Sequence, residues 1–235
     1  MKSRAAIHTG HGNPLVVDEV NIPDPQGDQV IVKLYSSGVC HSQLHQMHNP
    51  ETVTPSLLGH EGFGVVTHVG SKVTHVKEGD AAIVTWVPRE PTQGRWRAPS
   101  AGVTWNEQPL DASTYTWGED AIVWGGYVVK VEDDSPKDLS CIVGCAILTG
   151  AGAVTHTAKV RPEESVAIFG VGGVGMSAIQ MASILEAYPI IAVDLEDEKL
   201  EFAKEFGATH TVNAGKVDPI EAIIEITGGG VDYAF

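Results

Sequence analysis

The hydrophobic pattern divides the chain into two parts with different periods. Between residues 5 and 87, short apolar runs separated by turn residues are rich in β-branched side chains: LVVDEV, QVIVKLYSSGV, GFGVVTHVG and AAIVTWV. Runs of this length and spacing predict an all-β barrel or sandwich. The strand-like runs AIVW and GYVVKV follow, and a helical segment is predicted over about 139–157.

After residue 161 the rhythm changes to apolar runs that alternate with amphipathic helices. The runs SVAIF, PIIAVD, HTVNA and VDYAF are separated by helices predicted near 173–186, 196–206 and 219–227. This alternation predicts buried parallel strands in a βαβαβ order. We therefore expect an α/β plus β-barrel protein with two domains, 1–147 and 148–235. A complete dinucleotide-binding sheet has about six strands, so the four runs counted here indicate an incomplete one.

The stretch between these parts, residues 88–118, is rich in Pro, Gly and Trp and shows little periodicity. Such a composition predicts one long surface loop.

Composition excludes several classes of function. Thirty acidic against fifteen basic residues give a net charge of −15, with no basic cluster, which argues against nucleic-acid and membrane partners. The uncharged stretch 139–158 contains glycines and hydroxyl side chains and is predicted to be buried core. No apolar signal segment is apparent at the N-terminus, which predicts a cytoplasmic protein. Three cysteines are too few for a disulfide framework, so buried thiols and metal ligands both stay open.

A glycine-rich turn follows the strand SVAIF and opens a helix; it consists of Gly170, Val171, Gly172, Gly173, Val174 and Gly175. In this context the pattern G-x-G-x-x-G indicates a dinucleotide-binding turn, with the pyrophosphate at the helix N-terminus. Asp194 ends the next strand, 19 residues after Gly175, where a carboxylate accepts hydrogen bonds from the adenosine ribose and repels a 2′-phosphate. NAD is therefore favoured over NADP. Lys199 either flanks the ribose or is an ordinary solvated lysine.

Cys40, His60 and Cys145 are candidates for a metal site. Two thiols and one imidazole are one ligand short of a closed tetrahedral zinc site, and a catalytic zinc keeps such an open position. The residues lie 20 and 85 positions apart, however, so they form no compact motif. Buried thiols and an ordinary histidine remain the alternative.

Several longer segments, taken together, resemble one family. The segments are GVCHSQLH, GHEGFGVVTHVG, VKEGDAAIV, GCAILTGAGAV, the GVGGVG turn and VDLEDEKLEFAKEFGATHTVNA. In this order they are similar to the zinc-dependent medium-chain alcohol dehydrogenases. The resemblance implies a GroES-like catalytic domain followed by a Rossmann domain, and a hydride transfer from a primary or secondary alcohol to NAD.

The resemblance also implies roles for residues near the metal. Cys40, His60 and Cys145 would ligate the catalytic zinc, with Glu61 as an alternative or transient ligand. Ser42 would take the proton of the alcohol, and His45 would pass it on, unless His45 is simply a loop histidine.

Further positions match cofactor and substrate contacts of the family. His41 stands where relatives place a cationic residue near the pyrophosphate, and Thr149 stands at a nicotinamide contact. Trp86 matches a wall of the alcohol pocket, with a core tryptophan as the alternative. Cys141, one helical turn before Cys145, is interpreted as packing.

The chain departs from the family pattern in three ways. Residues 88–116 contain no cysteine, so we expect one catalytic zinc and no structural zinc. The family's usual oligomer contacts are therefore in doubt, although a homo-oligomer stays open. Gln43 replaces an acidic residue that orients a zinc ligand in some relatives. The sheet stops early, so we expect a C-terminally truncated chain.

Alternative functions stay open beside the leading one. The segment GCAILTGAGAV suits an S-(hydroxymethyl)glutathione (formaldehyde) dehydrogenase, whereas the missing structural-zinc cysteines oppose it. The alternative from another functional class is a protein that is not an enzyme: a truncated relative that binds nucleotide or zinc without catalysis. A zinc-free reductase of the same superfamily would lack the Cys/His/Cys set.

Overall fold

A computed structural model of the protein describes residues 1–90 and 98–235. The chain forms two compact units, Met1–Cys145 and Ala146–Phe235. The first is built from β-strands and the second from alternating strands and helices, as the two hydrophobic periods predict.

The first unit contains two five-stranded antiparallel sheets. One has the strand order β4-β1-β2-β7-β8 and the other the order β10-β6-β5-β3-β9. Their bounds are β1 Lys2–His8, β2 Val16–Asn21, β3 Gln29–Ser37, β4 Ser56–Leu57, β5 Gly62–Val69, β6 Ala81–Val84, β7 Thr104–Trp105, β8 Gln108–Pro109, β9 Asp120–Trp124 and β10 Val128–Lys130, and one helix, α1 His41–His48, follows β3.

The core of this unit is formed by β-branched side chains from both sheets. Val20, Val30, Val32 and Ile122 are fully buried within one cluster. Three consecutive residues are buried in each of β3 and β9, so both faces of these strands are covered.

The prediction of one surface loop over 88–118 is wrong for the described part of that stretch. Val103 and Tyr115 are completely buried in the core, and the Tyr115 hydroxyl accepts a hydrogen bond from the Ile122 backbone N–H at 3.3 Å. Asn106 and Glu107, both at positive φ, form a two-residue turn between β7 and β8, as hairpin turns of this kind require. Residues 91–97 of the predicted loop lie outside the described residues.

The predicted helix over 139–157 is broken into three pieces. A 3₁₀ turn covers Ser140–Gly144, α2 covers Ala146–Gly152, and a π-helical turn covers Ala153–Ala158. Cys145 has φ −143° and ψ −69°, outside the helical region, so the chain direction changes there.

The second unit is a four-stranded parallel sheet of order β13-β12-β11-β14. This is the order of the first four strands of a Rossmann sheet. The elements are β11 Val166–Phe169, α3 Gly173–Ile184, β12 Ile190–Asp194, α4 Asp197–Glu205, β13 His210–Asn213, α5 Pro219–Thr227 and β14 Tyr233–Ala234. The predicted βαβαβ order is confirmed.

Local sequence explains why the helix ends are predictable in this unit. Asp218 caps α5 by accepting hydrogen bonds from the Ile220 and Glu221 N–H groups, Pro219 is the first helical residue, and Gly228 ends the helix in a left-handed conformation. These are the residue types that helix termini favour.

Within the described residues, no helix is both long enough and apolar enough to cross a membrane.

An ion pair between the buried Asp80 and the half-exposed Lys130 lies at the turn between β5 and β6. The Asp80 carboxylate accepts hydrogen bonds from Lys130 Nζ at 2.7 Å and from the Lys77 N–H at 2.9 Å. These two bonds lower the pKa of Asp80 below its ordinary value. Because the folded-state pKa is depressed, the carboxylate stabilises the fold above its unfolded-state pKa, and this contribution is lost as pH falls through the folded-state pKa.

We therefore predict that Asp80→Asn lowers the free energy of unfolding by about 1–3 kcal/mol near neutral pH. The deficit should shrink as the pH falls below about 4, the ordinary pKa of an aspartate, because the unfolded chain takes up the proton there before the folded protein does. Denaturant unfolding at several pH values measures both, with Asp24→Asn as an exposed control. A deficit that does not change with pH would contradict this account.

Candidate functional site

The first turn of α1 brings Cys40 close to the side chains of His60, Glu61 and Cys145. Cys40 is the N-cap residue, and the Gln43 side chain reaches back to accept its backbone N–H at 3.0 Å, which completes a capping box. Capping of this type satisfies N–H groups that have no partner within the helix. It also fixes the direction in which the Cys40 side chain leaves the helix start.

The segment before β5 contributes His60 and Glu61. The Glu61 backbone carbonyl accepts a hydrogen bond from the Gly38 N–H at 2.8 Å, which ties this segment to the approach of α1. A Cβ atom at Gly38 would lie 1.8 Å from Glu61 Oε2. Only glycine therefore leaves room for the Glu61 carboxylate at this position.

The end of the first unit contributes Cys145, which is held against β6. The Thr85 hydroxyl donates a hydrogen bond to the Gly144 carbonyl at 2.5 Å. Trp86 follows Thr85, and its side chain lies close enough to the Cys145 thiol to lower the pKa of that thiol.

These three segments bring Cys40, His60, Glu61 and Cys145 together. One donor atom from each side chain lies within 4.8 Å of all the others. Glu61 and Cys145 are buried, at 4% and 6% exposed. The Nε2 atom of His60 is buried and has no hydrogen-bond partner. An unpaired buried nitrogen is costly, and two thiols, an imidazole and a carboxylate are the kinds of ligand that zinc prefers.

Burial sets the charge of this cluster. It raises the pKa of Cys145 well above its ordinary value, an effect that the nearby Trp86 partly offsets. It also raises the pKa of Glu61, an effect that the nearby Cys145 partly offsets, and it lowers the pKa of His60. Burial thus favours the uncharged form of all three side chains. Binding of a divalent cation would release the protons of the thiol and the carboxyl, whereas the neutral imidazole keeps one hydrogen on the ring nitrogen that does not bind.

The cluster opens into a cavity of about 520 Å³ within the first unit. Ser42, Trp86 and His60 line it, and the Trp86 and His60 rings are 6.3 Å apart. Trp86 is 50% exposed, so it is not a core tryptophan.

His41 and His45 lie on the exposed side of α1, one turn apart, with ring centroids separated by 4.8 Å. Neither is among the four clustered donors. Cys141 is 3% exposed and packs with Phe63 and Ile83, in agreement with a packing role.

Sequence reasoning missed several cavity residues, since nothing in their local sequence distinguishes them. They include Gln46, Asp111, Thr114 and Tyr127. The Thr114 hydroxyl is buried without a hydrogen-bond partner. Asp111 and Thr114 belong to the stretch that was predicted to be a surface loop, so their local sequence offered no reason to place them in a cavity.

The second unit carries the glycine-rich turn between β11 and α3. Gly170 has φ +86°, in the left-handed region that favours glycine. A Cβ atom at Gly175 would lie 2.0 Å from the Gly170 carbonyl oxygen, whereas one at Gly172 would meet nothing within 4 Å. The turn is therefore tight on its inner side and open beside Gly172, where the helix begins. Gly173 and Val174 form the first turn of α3, and Val174 is 45% exposed.

Asp194 connects the end of β12 to this turn. Its Oδ2 accepts a hydrogen bond from the Val171 N–H at 2.9 Å, and its Oδ1 accepts from the Leu195 and Glu196 N–H groups at 2.7 and 3.2 Å. Although burial opposes the shift, these bonds lower the pKa of Asp194. The residue is therefore an anchored carboxylate beside the open side of the turn.

Two other predicted cofactor residues lie in the second unit. The Lys199 ammonium forms an ion pair with Glu196 at 2.7 Å. Thr149 lies exposed on α2, four residues after Cys145.

Both parts of the chain match known families. Residues 26–133 match the alcohol dehydrogenase GroES-like domain, and residues 173–235 match the zinc-binding dehydrogenase domain. Among curated relatives, the S-(hydroxymethyl)glutathione dehydrogenases of Photobacterium damsela subsp. piscicida and of a Synechocystis strain are each 37% identical. Each match covers all of this chain and 71% of the relative.

Solved structures agree with these matches. An alcohol dehydrogenase zinc-binding domain protein from Burkholderia ambifaria is similar with a TM-score of 0.91, and benzyl alcohol dehydrogenase from Acinetobacter calcoaceticus with a TM-score of 0.89. Each is 33% identical, and each match covers all of this chain and 70% of the other. The GroES-like and Rossmann architecture is confirmed.

Proposed function

Because the chain belongs to the zinc-dependent medium-chain alcohol dehydrogenases, we propose that it oxidises a neutral alcohol and reduces NAD. The reaction transfers a hydride from the alcohol carbon to the nicotinamide and yields an aldehyde or ketone. The observation that carries this proposal is the cluster of Cys40, His60, Glu61 and Cys145, whose donor atoms lie within 4.8 Å of one another beside a cavity.

The proposed metal ligands are Cys40, His60 and Cys145. Zinc bound there supplies a Lewis acid that makes the alcohol hydroxyl more acidic. Glu61 is buried beside them, and the raised pKa of its carboxyl favours its neutral form, so we assign it the role of an alternative ligand. No cysteine occurs in residues 88–116, which supports one zinc per chain.

Ser42 and His45 are the proposed proton relay. A hydroxyl accepts one proton while it donates its own, and Ser42 lines the cavity. His45 lies three residues further along α1, on the same helix face. It is exposed, so a proton that reaches it passes to solvent.

The proposed NAD site is in the second unit. The open side of the turn at Gly172 and the N-terminus of α3 suit a pyrophosphate, and Asp194 suits the adenosine ribose. Its carboxylate keeps acceptor capacity beyond its three backbone bonds. Lys199 is already paired with Glu196, so it does not offer a free cation to a 2′-phosphate. We also assign His41 to the pyrophosphate and Thr149 to the nicotinamide.

The charge of the cavity supports a neutral alcohol. Among the described residues that line it, none is lysine or arginine, and Asp111 contributes a carboxylate. A glutathione adduct carries two carboxylates, and Asp111 would repel them. The names of the curated relatives favour S-(hydroxymethyl)glutathione as a second candidate substrate, whereas the aromatic wall formed by Trp86 suits an alcohol of the benzyl type.

We expect one zinc per chain, measured by elemental mass spectrometry of the purified protein. Cys145→Ala should lose the metal during purification, because it removes one of the two proposed thiolate ligands and leaves only the neutral-favoured Glu61 to replace it. Cys141→Ala, which removes a buried thiol four residues earlier, should retain it. Circular dichroism of both variants checks that they fold. Loss of zinc from both variants, or from neither, would contradict the assignment.

We expect Asp194→Asn to weaken NADH binding by about 10- to 100-fold, since it removes a charged acceptor. The preference for NADH over NADPH should narrow as well, because the repulsion of the 2′-phosphate disappears. Cofactor fluorescence titration measures both. Asp197→Asn changes a nearby acid that pairs with Lys216 and should leave NADH affinity within about twofold. Equal effects of the two substitutions would refute the ribose role of Asp194.

Substrate class is tested by following NADH formation with benzyl alcohol and with S-(hydroxymethyl)glutathione. Benzyl alcohol should be the better substrate, and Trp86→Ala should raise its KM about 10-fold or more through lost aromatic contact. Asp111→Asn should improve the use of the glutathione adduct relative to benzyl alcohol. Faster turnover of the adduct by the wild-type protein would reverse the substrate assignment.

A further inference from the structure

Gln43 is the buried side chain that links two of the four clustered residues. It is 1% exposed. Its Oε1 accepts the Cys40 backbone N–H at 3.0 Å, and its Nε2 lies 2.8 Å from Nδ1 of His60 and 3.3 Å from the Ser42 hydroxyl oxygen. The amide therefore joins the N-cap of α1 to the imidazole.

The Cys40 contact decides which way the amide points. A backbone N–H only donates, so the end of Gln43 that faces it must be the carbonyl oxygen. The other end, which faces His60, is then the NH₂ group. An NH₂ group only donates, so Nδ1 of His60 must accept.

The tautomer of His60 follows from this contact. A neutral imidazole that accepts at Nδ1 carries its hydrogen on Nε2. Nε2 is the nitrogen that is buried without a partner. Because Gln43 occupies Nδ1, Nε2 is the nitrogen left for a metal, and in this arrangement it holds a hydrogen and has no lone pair to offer.

We propose that Gln43 is a positioning residue that holds His60 in the tautomer that cannot bind zinc, so that zinc binding requires the amide to reorient. Ligation through Nε2 moves the hydrogen to Nδ1, where it faces the NH₂ group. To relieve this donor–donor contact, the Gln43 amide must turn over. Its carbonyl then faces His60 and no longer accepts the Cys40 N–H. The Gln43 carbonyl can therefore accept either the Cys40 N–H, which caps α1, or the Nδ1–H of the zinc-binding His60 tautomer, but not both. This inference rests on the proposed role of His60 as a zinc ligand.

A carboxylate at position 43 would remove the conflict, because each of its two oxygens is an acceptor. One oxygen would accept the Cys40 N–H while the other accepts Nδ1–H of His60. Acceptors that bind the free N–H of a metal-bound histidine change metal affinity by about 10- to 100-fold. Gln43→Glu should therefore bind zinc about 10-fold or more tightly than the wild-type protein.

The first experiment measures zinc affinity by competition with a chelator for the wild-type protein, Gln43→Glu and Gln46→Glu. Gln46 lines the same cavity one turn further along α1 and is exposed, so its substitution adds the same charge without an acceptor at His60. We expect Gln46→Glu to change the affinity by less than about threefold. Equal affinity of Gln43→Glu and the wild type, or an equal gain in Gln46→Glu, would overturn the inference.

The second experiment reads the tautomer directly in the zinc-free wild-type protein, and it needs no variant that must fold. Nitrogen-15 spectra of labelled histidine distinguish a hydrogen on Nε2 from one on Nδ1, and a His60→Gln sample assigns the signals. We expect the hydrogen on Nε2 without zinc and on Nδ1 with zinc. A hydrogen on Nδ1 in the zinc-free protein would overturn the inference. A wild-type protein that binds no zinc would contradict the proposed function, while the zinc-free tautomer would still decide the role of Gln43.

Discussion

The first unit depends on one constraint: ionisable side chains from three distant parts of the chain must meet in a place that water hardly reaches. Burial of unpaired polar groups is costly, so the convergence needs support from elsewhere. Backbone contacts provide it. The Gly38 N–H binds the Glu61 carbonyl, and the Thr85 hydroxyl binds the Gly144 carbonyl. The barrel core holds the strands on which these contacts depend.

Because the four clustered residues are largely buried, the charge of the site differs from the charge of the protein surface. The chain carries a net charge of −15, but burial favours the uncharged forms of Glu61, Cys145 and His60. The affinity of such a cluster for a cation then depends on the exchange of protons for metal. The surface charge contributes little, because exposed charges are screened over about 10 Å.

The sequence predicts local features of this fold well and distant contacts poorly. The glycine turn, Asp194 and α5 are readable because their determinants lie within a few residues or one βαβ unit. Residues 40, 60 and 145 do not form a motif by spacing, and only their resemblance to a family brought them together. Their proximity depends on sheet pairings that no local pattern encodes.

The two wrong secondary-structure predictions have the same physical origin. The stretch that contains Tyr115 looks like a loop because its apolar residues follow no period, and yet it fills the core between two sheets. The predicted helix through Cys145 has helical composition, but the chain turns at that residue. In both places tertiary packing outweighs local propensity.

Gln43 and Asp194 have comparable positions in the two units but differ in how many hydrogen bonds they can accept. Each is a polar side chain that binds backbone N–H groups at the start of a helix or turn and also faces a proposed ligand site. A carboxylate has about four acceptor positions, so Asp194 can hold three N–H groups and still receive ribose hydroxyls. An amide has one acceptor atom, so Gln43 cannot hold the Cys40 N–H and accept from His60 with its other end. The proposed dinucleotide turn is therefore preorganised, whereas on our proposal the four clustered residues must rearrange their hydrogen bonds before His60 can act as a ligand.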